Sequence, residues 1–319
     1  MSSVFSAWGR ILLGSSPLLS IEITRECPLS CPGCYAYSDG HLGGGKNLRH
    51  LADLHGDQLV DRVLQLVGRE RPMQVSIVGG EPLIRHRELS KILPALSEMK
   101  VFTLVVTSLV IPFPAEWNAI PGVRITVSID GLASEHDVRR KPATYATILK
   151  NIEGRRADIS WVITNQMLER PGYLEEYLAF WTARPEIERI WMSLYTPQNG
   201  EVSAERLTPD SRRRVFEEIP RLKREYPALV FPDGALAAFA SPPESPAHCT
   251  FTRISRNYSA DLETRIEPCF FGGDPNCSEC GCAVSAGLHW LHEKRLAPGL
   301  KAGHIIDASL AVGRLTTRP

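Results

Sequence analysis

From Leu18 to about Tyr195, short apolar runs alternate with stretches whose apolar positions follow helical spacing. Leu18–Thr24 reads as a strand, Leu59, Val60, Val63, Leu66 and Val67 fall on one helical face, and Gln74–Val78 reads as a second strand. Glu88–Met99 predicts a helix, Phe102–Val106 a third strand, and the alternation of Val123, Ile125, Val127 and Ile129 a fourth. Tyr145–Ile152 and Tyr173–Trp181 read as helices flanking a fifth strand, Ile159–Thr164; Ile190–Leu194 gives a sixth, and Ala204–Arg224 a charged amphipathic helix. Alternation of this kind implies an α/β fold of parallel βαβ units with right-handed crossovers, and strands this apolar suit a sheet covered by helices. Six units fit a partial barrel or an open doubly wound sheet, and the pattern does not choose between them.

The periodicity breaks beyond Ala228. Residues 232–282 carry Pro232, Pro242, Pro243, Pro246, Pro268 and Pro275 with little repeat, so a boundary near residue 228 is expected, with the later segment depending on a metal for its fold. Residues 299–319 carry little pattern. At the other end, Val4, Phe5, Trp8, Ile11 and Leu12 share one helical face before Pro17. A helix over residues 1–17 packed on the barrel is the expectation. A lipid-surface helix is the alternative, weakened by two glycines and Arg10 as its lone cation.

Composition narrows the function. The 36 basic and 36 acidic residues cancel, which gives no footprint of general nucleic-acid binding. No stretch reaches the about 18 apolar residues of a membrane span, and no secretory leader is evident, so a cytoplasmic location is expected. Eight cysteines in that compartment point to metal or redox chemistry before disulfides. Three fall at Cys27, Cys31 and Cys34; five fall at Cys249, Cys269, Cys277, Cys280 and Cys282; none lies between. Two metal sites are expected.

Three thiolates within eight residues, directly after a predicted strand, would hold three irons of a four-iron cluster and leave the fourth open. Buried structural cysteines, or a zinc site sharing ligands with the distant group, are the plainer alternatives. This C-x3-C-x2-C pattern resembles that of the radical S-adenosylmethionine (SAM) superfamily, in which the cofactor's amino and carboxylate groups chelate the open iron. The resemblance implies a partial (β/α)6 TIM-like barrel over residues 18–228, and reductive cleavage of the cofactor to a 5′-deoxyadenosyl radical. It departs from the family at Gly33, where an aromatic residue usually precedes the third cysteine; Tyr35 is the nearest substitute for an adenine contact.

Two further motifs carry the resemblance. Gly79-Gly80-Glu81-Pro82 ends the second predicted strand and is similar to the family's "GGE", which binds the cofactor's amino group; a plain turn is the alternative. Ser128-Ile129-Asp130-Gly131 ends the fourth, followed by His136, Asp137 and Arg140, and resembles the peptide-modifying branch. By that resemblance Ser128 and Arg140 contact the methionine carboxylate and Asp130 supports the ribose, while Asn165 is a further cofactor candidate. An arginine matches a carboxylate through two parallel donors, though a surface ion pair would also account for Arg140. His136 reads as a solvated loop residue, and Tyr195, Thr196 and Gln198 as an ordinary loop or part of the same mouth. All these positions fall at C-terminal strand ends, where α/β folds build their sites.

The five later cysteines, with Ser259-Ala260-Asp261 and Ile266-Glu267-Pro268-Cys269 between them, resemble the SPASM or "twitch" extensions that carry auxiliary [4Fe–4S] clusters. That places an auxiliary-cluster region at residues 229–319; a zinc clamp is the alternative. The resemblance implies a reducing partner such as flavodoxin or ferredoxin. The substrate is expected to be a peptide, or alternatively a small metabolite or a hopanoid-type lipid. A non-catalytic zinc or iron–sulfur protein with a binding or redox-sensing role is the rival of another class. No residue is singled out as acid or base toward substrate.

Overall fold

The structure, a computed structural model, describes residues 2–232 and 234–316. A helix, α1 (Ser2–Leu12), precedes β1 (Leu18–Glu22). There follow α2 (Gly56–Glu70), β2 (Gln74–Val78), α3 (His86–Glu98), β3 (Phe102–Thr107) and β4 (Val123–Ser128). Next come α4 (Ala133–Arg139), α5 (Tyr145–Ile152), β5 (Ala157–Ile163), α6 (Tyr173–Thr182), β6 (Ile187–Leu194) and α7 (Pro209–Glu225). Beyond these lie β7 (Leu229–Val230), α8 (Ala235–Ala240), α9 (Thr250–Ile254), β8 (Ser255–Tyr258), α10 (Ala283–Glu293), β9 (Arg295–Ala297), β10 (Leu300–Lys301) and α11 (Ala302–Thr316).

β1 to β6 lie side by side in chain order, every ladder parallel, as expected of a partial barrel. The apolar runs explain the layering. Val75, Ile77, Val105, Val127, Ile159, Trp161 and Ile190 are fully buried, and α2, α3 and α6 lay Leu59, Val63, Leu89, Ile92, Tyr177 and Trp181 against the sheet. Trp161 and Tyr177 stack at 4.2 Å between ring centroids.

Three local features differ from the pattern. The charged helix begins at Pro209 rather than Ala204, because Thr208 caps it by accepting from the Ser211 amide at 3.1 Å and a proline suits the first helical position. Two strands from beyond residue 228 join the sheet: β7 pairs with β6, and β8 pairs with β1 through Leu18↔Ser255 to Ile21↔Tyr258. β8 escapes the apolar pattern because its sequence, SRNY, is polar. Lastly, α1 packs on α11, with the Trp8 indole donating to Ser309 Oγ at 2.6 Å, and its Arg10 Nε donates to the Arg71 carbonyl after α2 at 2.8 Å. Ile11 is buried and Trp8 is 42% exposed; the side chains of Val4 and Phe5 lie outside the described residues. Among the described residues, no helix is long and apolar enough to cross a membrane.

Candidate functional site

The cysteine loop leaves the end of β1 and is pinned at both ends. Asp53, almost wholly buried, accepts from Thr24 Oγ1 at 2.7 Å, from the Arg25 amide at 3.0 Å and from Arg85 at 2.7 Å. Ser30 donates its amide to the Lys141 carbonyl at 2.7 Å, tying the loop to the segment after α4. The tight turn from Cys31 to Cys34 passes through Gly33 at φ +69, a left-handed conformation that glycine adopts without strain. An aromatic side chain would be strained there, which accounts for the departure at that position. Tyr35 opens the next turn instead, and its ring lies 5.6 Å from His41, 5.5 Å from Phe271 and 6.0 Å from Phe270.

The GGEP turn lies against the cysteine loop. A Cβ on Gly79 would come within 2.4 Å of the Glu22 Cβ, and one on Gly80 within 2.2 Å of the Glu26 carbonyl oxygen. Glycines are therefore the residues that let β2 end flush against β1. The Glu81 carboxylate is 1% exposed and points toward β3. It accepts from Thr107 Oγ1 at 2.5 Å, the Ser108 amide at 2.8 Å, Ser108 Oγ at 2.5 Å and the Leu83 amide at 3.0 Å.

Ser128 is the last residue of β4, half-buried. Two residues on, the Asp130 carboxylate accepts from Arg140 Nε at 2.8 Å and Nη2 at 2.6 Å, and pairs with Arg139 Nη1 at 3.0 Å. Burial alone would push this carboxyl up. The charges of Arg139 and then Arg140 outweigh it and hold Asp130 down at about 2. Burial would likewise depress the Arg140 guanidinium, but Asp130 and, next, the Cys31 thiol raise it, which places Arg140 beside the cysteines. The partner Arg139 was not legible as such; the adjacent pair of arginines is the signal in the sequence. Arg139 also holds Glu205 at 2.8 Å, and the Glu205 backbone carbonyl accepts from the Asn165 amide at 3.0 Å. Asn165 Oδ1 accepts from Ser211 Oγ at 2.6 Å.

His136 is not a solvated loop residue: it is fully buried beneath this turn. Its Nδ1 accepts from the Asp130 amide at 3.2 Å, which leaves Nε2 to donate to Thr144 Oγ1 at 2.8 Å. Burial lowers its pKa to about 4, so it serves as a neutral strut. Asp137 caps α5 by accepting from the Thr144 and Tyr145 amides at 2.7 and 2.9 Å. Thus two of the three residues in the H-D-x-x-R stretch build the turn, and Arg140 faces the site.

Five thiols, of Cys249, Cys269, Cys277, Cys280 and Cys282, line one cavity closed by Phe251, Phe270 and Phe271. Residues following β6 hold this region down. Thr196 Oγ1 accepts from the Gly281 amide at 2.8 Å, Gln198 Oε1 from the Asp274 amide at 2.7 Å, and the Pro197 carbonyl from the Asn276 amide at 2.8 Å. Tyr195 hydrogen-bonds Glu201.

All eight cysteines are free. Burial pushes Cys27 up to about 11, Cys277 to about 11 and Cys269 to about 12, and neighbouring thiols add to each. Nucleophilic cysteines show the opposite shift, so these groups need an added positive charge to ionise, as a metal supplies. One zinc ion, with Zn–S bonds of about 2.3 Å, would gather tetrahedral thiolates to about 3.8 Å from each other. Among the described residues, no three cysteine sulfurs lie within 4.8 Å of one another.

One buried network, missed from the sequence, links the two cysteine regions. Glu22, at the end of β1, accepts from Ser259 Oγ at 2.6 Å and pairs with His41 Nε2 at 2.8 Å, while His41 Nδ1 donates to the Phe271 carbonyl at 3.0 Å. Burial would lower the His41 pKa, but its hydrogen bond to Glu22 raises it above the ordinary value, and both ring nitrogens face acceptors, an arrangement that suits the doubly protonated ring. A charged residue inside an apolar strand was the available signal. Glu22→Ala is expected to cost about 1–3 kcal/mol in urea unfolding, less than for a fixed ion pair because His41 can shed its proton. Glu22→Gln, which keeps one acceptor, should cost less.

The radical SAM superfamily model matches residues 21–176, from β1 into α6. Comparison with curated proteins gives no match. Among solved structures, Streptococcus suis SuiB bound to S-adenosylmethionine aligns with 81% of this chain at 15% identity and a TM-score of 0.53. The chain spans 60% of that SuiB chain's length. SuiB bound to the precursor peptide SuiA aligns with 96% of this chain and 74% of its own, at 15% identity and a TM-score of 0.56. Native anSMEcpe with bound AdoMet aligns with 92% of this chain and 84% of its own, at 16% identity and a TM-score of 0.59. Identities this low speak for the fold. With the cysteine loop, the GGEP turn and the matched span all on the same strands, the chain belongs to the radical SAM superfamily.

Proposed function

We propose that this protein is a radical SAM enzyme that modifies a peptide, with one cluster at Cys27, Cys31 and Cys34 and an auxiliary cluster among the five later cysteines. The observation that carries the reading is the grouping of three motifs at the C-terminal ends of parallel strands of one sheet: the cysteine loop after β1, the GGEP turn after β2 and the Asp130–Arg140 pair after β4. When bound, the site-differentiated cluster supplies the electron that cleaves the cofactor to methionine and a 5′-deoxyadenosyl radical. The chain's own part is placement. Arg140, held on Asp130, faces the cysteines as a fixed cation that suits the cofactor's carboxylate. Ser128 and Asn165 line the neighbouring strand ends, and Tyr35 closes the side toward the second cysteine region.

Glu81 accepts four hydrogen bonds from β3 and its own turn, so its role here is to fix the turn that presents the Gly79 and Gly80 backbone to a cofactor ammonium. The auxiliary cluster takes its ligands from four of the five thiols around the phenylalanine-walled cavity. The peptide reading rests on the likeness to SuiB, whose structure holds the precursor peptide SuiA.

Anaerobically purified, reduced protein incubated with S-adenosylmethionine is expected to release 5′-deoxyadenosine. Iron and sulfide analysis is expected to give about eight irons per chain, as two four-iron clusters require. Zinc in place of iron, or no 5′-deoxyadenosine, would defeat the reading. A short precursor peptide encoded beside the gene favours peptide modification; neighbouring lipid-pathway genes favour the lipid substrate.

A further inference from the structure

A separate cavity of about 300 Å³, which shares Thr252 of α9 with the cysteine-lined one, is lined by α1, the chain leading into β1, α9, the start of β8, and α11. Four arginines line it: Arg253, Arg256, Arg265 and Arg314. No aspartate or glutamate does. A concave site with four guanidiniums and no carboxylate is an electrostatic trap for an anion.

The four are not equally compensated. Arg253 pairs from behind with Asp307 at 2.7 Å, and Arg256 pairs with Glu70. Arg265 has Glu267 only at 3.6 Å, and that carboxylate is 70% exposed, so water screens the pair. Arg314 has no carboxylate partner among the described residues. About two positive charges are therefore left to face the cavity.

Two buried polar atoms point the same way. Ser255 is 6% exposed and its Oγ has no hydrogen-bond partner; the buried Nε of Arg265 has none either. Both residues line this cavity. Orphaned donors in a native interior are rare and ask for a bound group that accepts from them. Arg265 is held in place by its guanidinium lying 5.0 Å over the Tyr258 ring, so its fork is oriented in advance.

We propose that this cavity binds a phosphate monoester, the dianion that matches the unpaired Arg314 and the loosely paired Arg265 guanidiniums and offers acceptor oxygens to Ser255 Oγ and Arg265 Nε. Ile11 and Leu310 add an apolar side to the cavity, so the organic part of the ligand has a surface to lie on. The phosphate comes from a free phosphorylated metabolite or from a lipid headgroup, and the experiment separates the two.

The whole chain is titrated calorimetrically with inorganic phosphate and with glycerol 3-phosphate, and is floated with phosphatidylcholine vesicles with or without phosphatidic acid. Binding that weakens with added salt is expected in the soluble arm, or in the phosphatidic acid arm alone if the source is lipid. Arg265→Ala with Arg314→Ala should weaken it by about a hundredfold, and Ser255→Ala by about tenfold. Because Arg265 also packs on Tyr258, Arg314→Glu serves as the variant that leaves the interior alone, with an expected loss of about tenfold or more. Release of 5′-deoxyadenosine should be unchanged in Arg314→Glu. No binding in any arm, or binding that Arg314→Glu leaves untouched, would overturn the proposal.

Discussion

Cys31→Ala is expected to abolish 5′-deoxyadenosine release while leaving stability within about 0.5 kcal/mol of the parent chain. The separation of the two effects is what makes the variant informative. The Cys31 side chain is part-exposed and makes no hydrogen bond among the described residues; the turn is closed by its backbone carbonyl, which accepts from the Cys34 amide at 3.3 Å and survives the substitution. On the proposed reading its removal would take away one of the three thiolates in the motif, so the cluster would lose an anchor and gain a second open corner. Iron content should fall toward that of the auxiliary site alone, and far-UV circular dichroism should be unchanged. Retained 5′-deoxyadenosine release would show that Cys31 is no ligand. Loss of fold together with activity would show that the cysteines are structural.

The barrel strands were legible because each is a buried apolar run: Gln74–Val78 and the helix Tyr145–Ile152 match residue for residue. β8 was not, since Ser255 and Asn257 are polar yet buried, and the strand is held there through its backbone pairing with β1. Periodicity sees burial of apolar groups and is blind to a strand recruited by its backbone. The site divides the same way. Cys27, Cys31, Cys34, Gly79, Gly80 and Asp130 stand out as candidates because a motif names them; the residues packed around them, Glu22, His41, Thr107, Ser108 and Arg139, come from distant segments and become visible only in the fold. His136 was misplaced for a related reason. A histidine beside an aspartate reads as solvated, and nothing local reveals that Thr144 and the Asp130 amide hold both ring nitrogens.

Asp130→Asn is expected to destabilise the chain by about 3–5 kcal/mol, because it removes the single carboxylate that both Arg139 and Arg140 share and leaves Arg140 without a counter-ion. Arg139 keeps Glu205, so most of the cost falls on Arg140. The pH dependence identifies the group responsible. Asp130 sits at about 2 in the folded chain against an ordinary 3.8, so the folded state binds its proton less readily than the unfolded one. Its contribution, about 2 kcal/mol, is therefore fully present above pH 4 or so and lost as pH falls toward 2. Urea unfolding followed from pH 6 to pH 2 should show this acid limb in the parent chain and a correspondingly flatter one in Asp130→Asn. Cofactor binding supplies the second readout. With Arg140 unanchored, affinity for S-adenosylmethionine at pH 7 should fall by about tenfold or more, since the guanidinium must then be ordered at the cost of binding. An Asp130→Asn chain with unaltered cofactor affinity would show that Arg140 finds its position without Asp130. One with an unaltered acid limb would place the depressed carboxyl elsewhere in the chain.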